Sequence, residues 1–270
     1  MLLSAVSLLL FTASATDRND IEFASPDGFS LTLDAHVPDG KGPFPTVIIV
    51  HGGGWQNGHK RTYVTPLFQP LTEAGFAWFT INYRLAPKYK FPAAADDVTS
   101  AIQWVKVHAA EYKVDPRRIA LMGESAGGHL VAYVGTRRQS EARVAAVVDF
   151  YGAHDLLKRE RERGEIDKSV KQFLDIEQLD ETGIAKLKEA SPITYVRRGL
   201  PAFLFIHGTK DTAVPYDQSP LMCEALKKAG NRCEVFTVEG APHGVGPWEK
   251  VPEFQAYKTK MIEWLKAVLH

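Results

Sequence analysis

The sequence predicts one α/β domain: a mostly parallel central sheet with helices on both faces and a small helical cap insertion. Three observations carry this. Unbroken apolar runs alternate with stretches of helical period along the chain, the pattern of a parallel sheet wound with helices. At 270 residues and 45% hydrophobic content the chain can bury one large core. No internal repeat or low-complexity linker divides it.

The elements follow in order. Ile21–Ala24 and Phe29–Val37 alternate apolar and polar residues around Ser25-Pro26-Asp27-Gly28, which reads as an antiparallel hairpin. In "FPTVIIVHGGG", Val47 to Val50 are apolar without a break, as in a strand covered on both faces. The runs "GFAWFTINY", "RIALMGE", "VAAVVDFYG", "LPAFLFIHG" and "CEVFTVEG" repeat that signal. Between them lie helical stretches. Pro92 opens one in which Val98, Ile102 and Val105 recur at helical spacing. Others are Ser125–Arg137, Pro215–Ala229 and Val251–Leu269, the last with Phe254, Tyr257, Ile262 and Leu265. In such a sheet, ligands bind beyond the carboxyl ends of the strands. Asp155–Ala190 breaks the alternation. It is charge-rich and helical in propensity, and reads either as a solvated surface helix pair or as a cap beside a site.

Lys+Arg and Asp+Glu number 32 each, and no long basic run appears, which argues against nucleic acid as a partner. Residues 1–15, MLLSAVSLLLFTASA, combine an apolar run with a small-x-small ending at Ala13-Ser14-Ala15, which predicts a secretory signal peptide. No Lys or Arg precedes the run. The stretch is too short for a membrane span, so the expectation is a soluble, secreted or periplasmic protein beginning near Thr16. The two cysteines, Cys223 and Cys233, read equally as a disulfide or as two half-buried thiols, and they lack metal-ligand spacing.

Gly123-Glu124-Ser125-Ala126-Gly127 fits G-x-S-x-G between a strand and a helix. A sharp turn there lifts Ser125 Oγ above the sheet edge and demands small neighbours. The backbone N–H of Ala126, at the helix start, faces the same space. A serine hydroxyl needs a base, and the base needs an orienting acid. His243, in "EGAPHGVGPW" directly after the last strand, falls on the same edge as Ser125. His207 suits the shaping of the next loop, and His129 lies a helical turn beyond Ser125, pointing away. Asp211 follows a strand in "HGTKDTAVP"; Asp217 is its rival but falls in or near the following helix. The order Ser125, Asp211, His243 is the one this architecture uses.

"HGGGW", His51 to Trp55, ends the first fully buried strand. Consecutive glycines let backbone approach a ligand, so Gly53 and Gly54 join Ala126 as oxyanion donors. No Lys-Ser/Thr pair follows, which argues against a phosphate cradle. Trp55 and Trp248 are candidates for flanking a substrate, with core packing the alternative for each. Arg84 and Asp97 read as a structural pair bracing "NYRLAPKYKFP".

Taken in order, "HGGGW", "NYRLAP", "GESAGGHL", "GTKDTAVP" and "APHG" resemble the α/β-hydrolase esterases, and most closely the bacterial feruloyl and acetylxylan esterases, kin to the hormone-sensitive-lipase-like group. The resemblance runs from about Ile21 to the C-terminus. It implies a Ser125–Asp211–His243 triad, oxyanion donors at Gly53, Gly54 and Ala126, no metal or organic cofactor, and hydrolysis of acetyl, feruloyl or other short-chain and aryl esters of small molecules or plant polysaccharide. With the first strand expected at Ile21, the long N-terminal helical cap of the lipase-like branch has no counterpart, which argues against large lipid substrates. A serine amidase or peptidase of the same fold and a non-catalytic binding module are the other readings. The intact triad and oxyanion loop weigh against the second. Acyl-chain preference and oligomeric state are not readable from these motifs.

Overall fold

The computed structural model describes residues 16–137 and 140–269, so the expected leader at 1–15 lies outside the described residues. The strands are β1 (Thr16–Ala24), β2 (Leu31–Val37), β3 (Phe44–Val50), β4 (Ala77–Ile81), β5 (Val114–Glu124), β6 (Ala146–Phe150), β7 (Ala202–Gly208) and β8 (Cys233–Val238). They form one sheet in the order β1-β2-β4-β3-β5-β6-β7-β8. β1–β2 and β2–β4 are antiparallel, and every pairing from β4 to β8 is parallel. The helices are α1 (Phe68–Glu73), α2 (Ala93–Val107), α3 (Ala126–Thr136), α4 (Leu156–Arg163), α5 (Lys168–Leu174), α6 (Glu181–Ala190), α7 (Gln218–Lys228), α8 (Val245–Trp248) and α9 (Ala256–Leu269).

The unbroken apolar runs find their cause in this layering. Successive strand residues face opposite sides. Ile48, Val50, Phe203 and Phe205 join the cluster formed with α2, α3 and α7. Val47, Ile49, Leu204 and Ile206 join the other cluster, with Leu71 of α1 and Met261 and Leu265 of α9. Both faces are dry, so no polar alternation survives in the central strands.

Three expectations change. β1 starts at Thr16 rather than Ile21: Thr16–Asp20 are exposed and polar, yet Thr16, Asp17 and Arg18 still pair with Val37, His36 and Ala35 at the sheet edge. Backbone hydrogen bonds, not side-chain pattern, make that part of the strand. The C-terminal stretch begins as a short 3₁₀ turn at Pro252–Phe254 before α9. The inserted segment holds three helices, not a pair, with Asp155, Asp167 and Asp180 accepting backbone N–H bonds at the three N-caps. Its apolar residues Leu156, Val170, Phe173 and Leu187 are buried in the same cluster as α3, and most of its charged residues face water, Arg159 and Glu160 being the buried exceptions.

Two pairings come out definite. Cys223 and Cys233 form a disulfide that ties α7 to the start of β8. Asp97 of α2 accepts from the Arg84 backbone N–H at 2.7 Å and from its guanidinium at 2.8 and 3.0 Å, which fixes the loop after β4. Among the described residues, no helix is long and apolar enough to cross a membrane.

Candidate active site

Ser125 stands alone between β5 and α3, with φ 55° and ψ −117°. A non-glycine residue at positive φ is strained and is held there only by its surroundings. Here the surroundings are close-packed backbone. A Cβ on Gly123 would lie 2.3 Å from the Gly127 carbonyl oxygen, and one on Gly127 would lie 2.2 Å from that of Val50. The Ser125 N–H donates to Phe150 O at 2.8 Å, and its carbonyl accepts the first helical bond, from His129 N, at 2.9 Å. The small residues of the motif therefore serve the turn.

The imidazole of His243 reaches Ser125 across 118 residues of sequence: Nε2 lies 2.9 Å from Oγ. Its Nδ1 lies 2.6 Å from Asp211 Oδ2. A carboxylate there accepts, so Nδ1–H donates to Asp211 and Nε2 is left to accept from the serine hydroxyl. Asp211 is fixed in turn. Its Oδ1 accepts from Ala213 N and Val214 N, both at 2.9 Å, and His207 Nε2 stands 3.3 Å from Oδ2. Burial would raise this carboxyl, but hydrogen bonds from His207 and His243 outweigh it and hold the group well below the usual carboxylate range. Thus the structure brings together the three residues proposed for the relay. Asp217 instead pairs with Lys158 at the surface. His129 is fully buried between Trp55 Nε1 and Ala190 O.

Gly53, Gly54 and Ala126 border the space above Ser125. Gly53 has φ 100°, and a Cβ on it would lie 2.1 Å from Asn57 O, so a side chain fits neither the conformation nor the room. Tyr83 holds the loop from behind, its hydroxyl 3.1 Å from both His51 O and Gly52 O. That bond gives the "NYRLAP" stretch a use the motif alone does not reveal. Ala126 is the first residue of α3, where the N–H has no intrahelical partner.

The two tryptophans separate. Trp55 is buried, stacks on Phe173 of α5 at 4.5 Å, and forms part of a cavity wall beside Ser125. Trp248 is a correction: it is 0% exposed, donates to Pro242 O at 2.7 Å and packs edge-on against Tyr151 and Tyr257. It cannot flank a substrate. It braces the loop that carries His243.

Several neighbours of the relay escape a motif reading. The Tyr151 hydroxyl accepts from Val245 N at 2.8 Å, and its ring meets His243 edge-on at 4.7 Å. Burial pushes the Glu124 carboxyl up to about 7, against the opposing pull of His243. Glu124 lies within the motif, one residue before Ser125, and its place at the end of an apolar strand is the signal for a buried acid there. Arg159, Arg163, Asp167 and Ser169 of the inserted segment wall a cavity of about 330 Å³ next to Ser125. Their charge-rich local sequence allows a cap beside a site but singles out none of these four side chains. Among the described residues no group of His, Cys, Asp and Glu is arranged to hold a metal ion.

A family model described as BD-FAE matches residues 33–226. The chain is 30% identical over 205 residues to a probable carboxylic ester hydrolase, LipM, of Mycobacterium tuberculosis, covering 72% of this chain and 48% of that protein. The chain thus spans about half the length of the curated relatives it matches. Among solved structures, a truncated carbohydrate esterase from gut microbiota superposes with a TM-score of 0.82 at 25% identity, covering 96% of this chain and 98% of the other. An acetyl ester-xyloside bifunctional hydrolase from Caldicellulosiruptor lactoaceticus superposes with a TM-score of 0.77 at 26% identity and 89% coverage of each chain.

Proposed function

This chain belongs to the BD-FAE family, and on that basis we propose that it hydrolyses carboxylic esters through an acyl-enzyme formed on Ser125. One observation carries the reading: a continuous hydrogen-bonded path from Ser125 Oγ through His243 to Asp211, with the serine held at positive φ above the sheet edge.

In this mechanism His243 Nε2 takes the hydroxyl proton as Ser125 Oγ attacks the ester carbonyl. Asp211 stabilises the imidazolium through Nδ1–H. The developing oxyanion is held by the backbone N–H groups of Gly53, Gly54 and Ala126, each such donor worth about 3–4 kcal/mol in the transition state. His243 then returns the proton to the leaving alcohol, and activates the water that releases the acid. Helices α4 and α5, which bring Arg159, Arg163 and Ser169 to the cavity beside Ser125, act as a cap over the acyl side. The substrate class we favour is short-chain acetyl and aryl esters, including acetyl or feruloyl groups on plant polysaccharide. The names of the gut carbohydrate esterase and the acetyl ester-xyloside hydrolase support it. The Cys223–Cys233 disulfide supports a secreted or periplasmic location, because such bonds persist in oxidising compartments.

The test is hydrolysis of 4-nitrophenyl acetate by the wild type and by Ser125→Ala. Loss of the nucleophile should cost at least about 10³-fold in kcat. Equal rates would refute the assignment. Acetylated xylan and methyl ferulate, compared by kcat/KM, decide the natural acyl group.

A further inference from the structure

Two cavities meet at Ser125 and Gly54. One, of about 390 Å³, includes His243, Tyr63, Val245 and Pro247 in its wall. The other, of about 330 Å³, has no His243; its wall includes Trp55, Arg159, Arg163, Asp167, Ser169 and Thr212. If Ser125 forms an acyl-enzyme, as proposed above, the leaving oxygen must come within hydrogen-bond reach of His243 Nε2. The alcohol then occupies the cavity that His243 borders, and the acyl group occupies the other. That second space is far larger than an acetyl group needs, and its wall sets the charged side chains of Arg159, Arg163 and Asp167 among apolar ones such as Trp55, Ala153 and Val214.

The guanidinium of Arg159 is the unusual group there. Arg159 is only 8% exposed. Its Nη1 donates to Glu160 Oε1 at 2.7 Å and its Nη2 to Ala213 O at 3.1 Å. The Nε–H has no hydrogen-bond partner among the described residues and is itself shut off from the cavity, so the donors open to a ligand are the second N–H groups of Nη1 and Nη2. Glu160 is itself fully buried, with Oε2 accepting from Asp167 N at 2.6 Å, so the pair is locked from both ends. A guanidinium offers five N–H donors, and a buried one with donors unused is satisfied best by an acceptor brought in by a ligand. An all-hydrocarbon acyl chain would leave those donors unpaired. A chain with an oxygen at its far end would not.

We propose that Arg159 is a specificity residue for acyl groups longer than acetyl, selecting those whose chain carries a hydrogen-bond-accepting oxygen beyond the scissile carbonyl. A site built to pair with a polar group discriminates against the isostere that lacks it.

The experiment compares kcat/KM for ethyl 3-methoxypropanoate with that for ethyl pentanoate, which differ by one oxygen in place of a methylene. Monoethyl succinate is run alongside, to tell an anionic acceptor from a neutral one. In the Arg159→Met variant the oxygenated-to-hydrocarbon ratio should fall about tenfold from its wild-type value. Because that change leaves Glu160 buried without its partner, the double variant Arg159→Met/Glu160→Gln, which removes both charges, is measured as well. A ratio that stays within twofold of wild type in the folded variants, for both oxygenated esters, overturns the proposal. Calorimetric binding of 3-methoxypropanamide and pentanamide reads the same contact without turnover. If the wild type hydrolyses none of these esters, the acyl-enzyme reading fails on its own. An Arg159-dependent preference for the oxygenated amide would then still support the binding role, and equal affinities would end it.

Discussion

Replacing Asp211 by Asn changes one atom, yet the geometry around it makes the outcome specific. Oδ1 accepts from two backbone donors, Ala213 N and Val214 N, both at 2.9 Å. An amide placed with its NH₂ toward them would face two N–H groups, so the Asn oxygen must take that side. The NH₂ is then forced toward His243 Nδ1 and His207 Nε2, where Oδ2 stood at 2.6 and 3.3 Å. Against an amide donor, His243 must present Nδ1 as acceptor and move its proton to Nε2. In that tautomer it cannot accept the Ser125 proton. A wrong tautomer of this kind costs about 10⁴-fold in kcat, or about 5 kcal/mol of barrier. The fold should survive, because the two backbone bonds remain and only the charge-assisted bonds to the histidines are lost, about 1–3 kcal/mol. The assay is kcat and kcat/KM for 4-nitrophenyl acetate at pH 7–8, with circular dichroism and Tm on the same preparation. A folded Asp211→Asn variant within tenfold of wild-type kcat would refute the claim that His243 depends on Asp211 for its tautomer.

Two further outcomes follow from buried charges. Asp97→Ala leaves the Arg84 guanidinium, with a side chain 10% exposed, with only the exposed Asp27 carboxylate at 3.2 Å, and should lower urea-unfolding stability by about 3 kcal/mol, the low end for a broken buried pair. An unchanged denaturation midpoint would show that the loop after β4 is held by something else. Glu124, whose carboxyl is raised by burial from 4.5 to about 7, holds a proton more tightly folded than unfolded. Its contribution to stability is therefore complete below pH 4.5 and is lost as pH rises through about 7. Glu124→Gln lacks that loss, so the Tm of the variant minus that of the wild type should grow between pH 5 and pH 8; parallel curves would contradict the assigned burial.

What could be read from the chain divides by the range of the forces involved. Strand and helix periodicity are local, so β3 to β8 were legible from apolar runs, whereas Thr16–Asp20 of β1 was not, since its pairing with β2 leaves no mark on exposed polar side chains. The turn at Ser125 was legible for the same reason, because the glycines that the backbone contacts require lie within two residues of it. Arg159 marks the opposite limit. In "KRERERGE" an arginine reads as solvated, and its burial comes from the loop at Ala213, 54 residues away. The cysteine pair was likewise undecidable until the ends of α7 and β8 were placed side by side.

The packing of Trp248 into the core has a cause in the sheet order. Asp211 follows β7 and His243 follows β8, but Ser125 follows β5, three strand spacings from β8. At about 4.8 Å per spacing, the His243 loop must lean back roughly 14 Å across the strand ends to reach the serine. A loop that leans so far needs anchors, and they come from the strand lying between. Tyr151, directly after β6, accepts the Val245 N–H and packs its ring on both His243 and Trp248. Trp248 then closes the loop on itself through Pro242 O. An aromatic five residues from a candidate base looks like a substrate contact in a linear reading. In this topology it is the strut that lets a histidine from the far side of the sheet meet a serine near its centre.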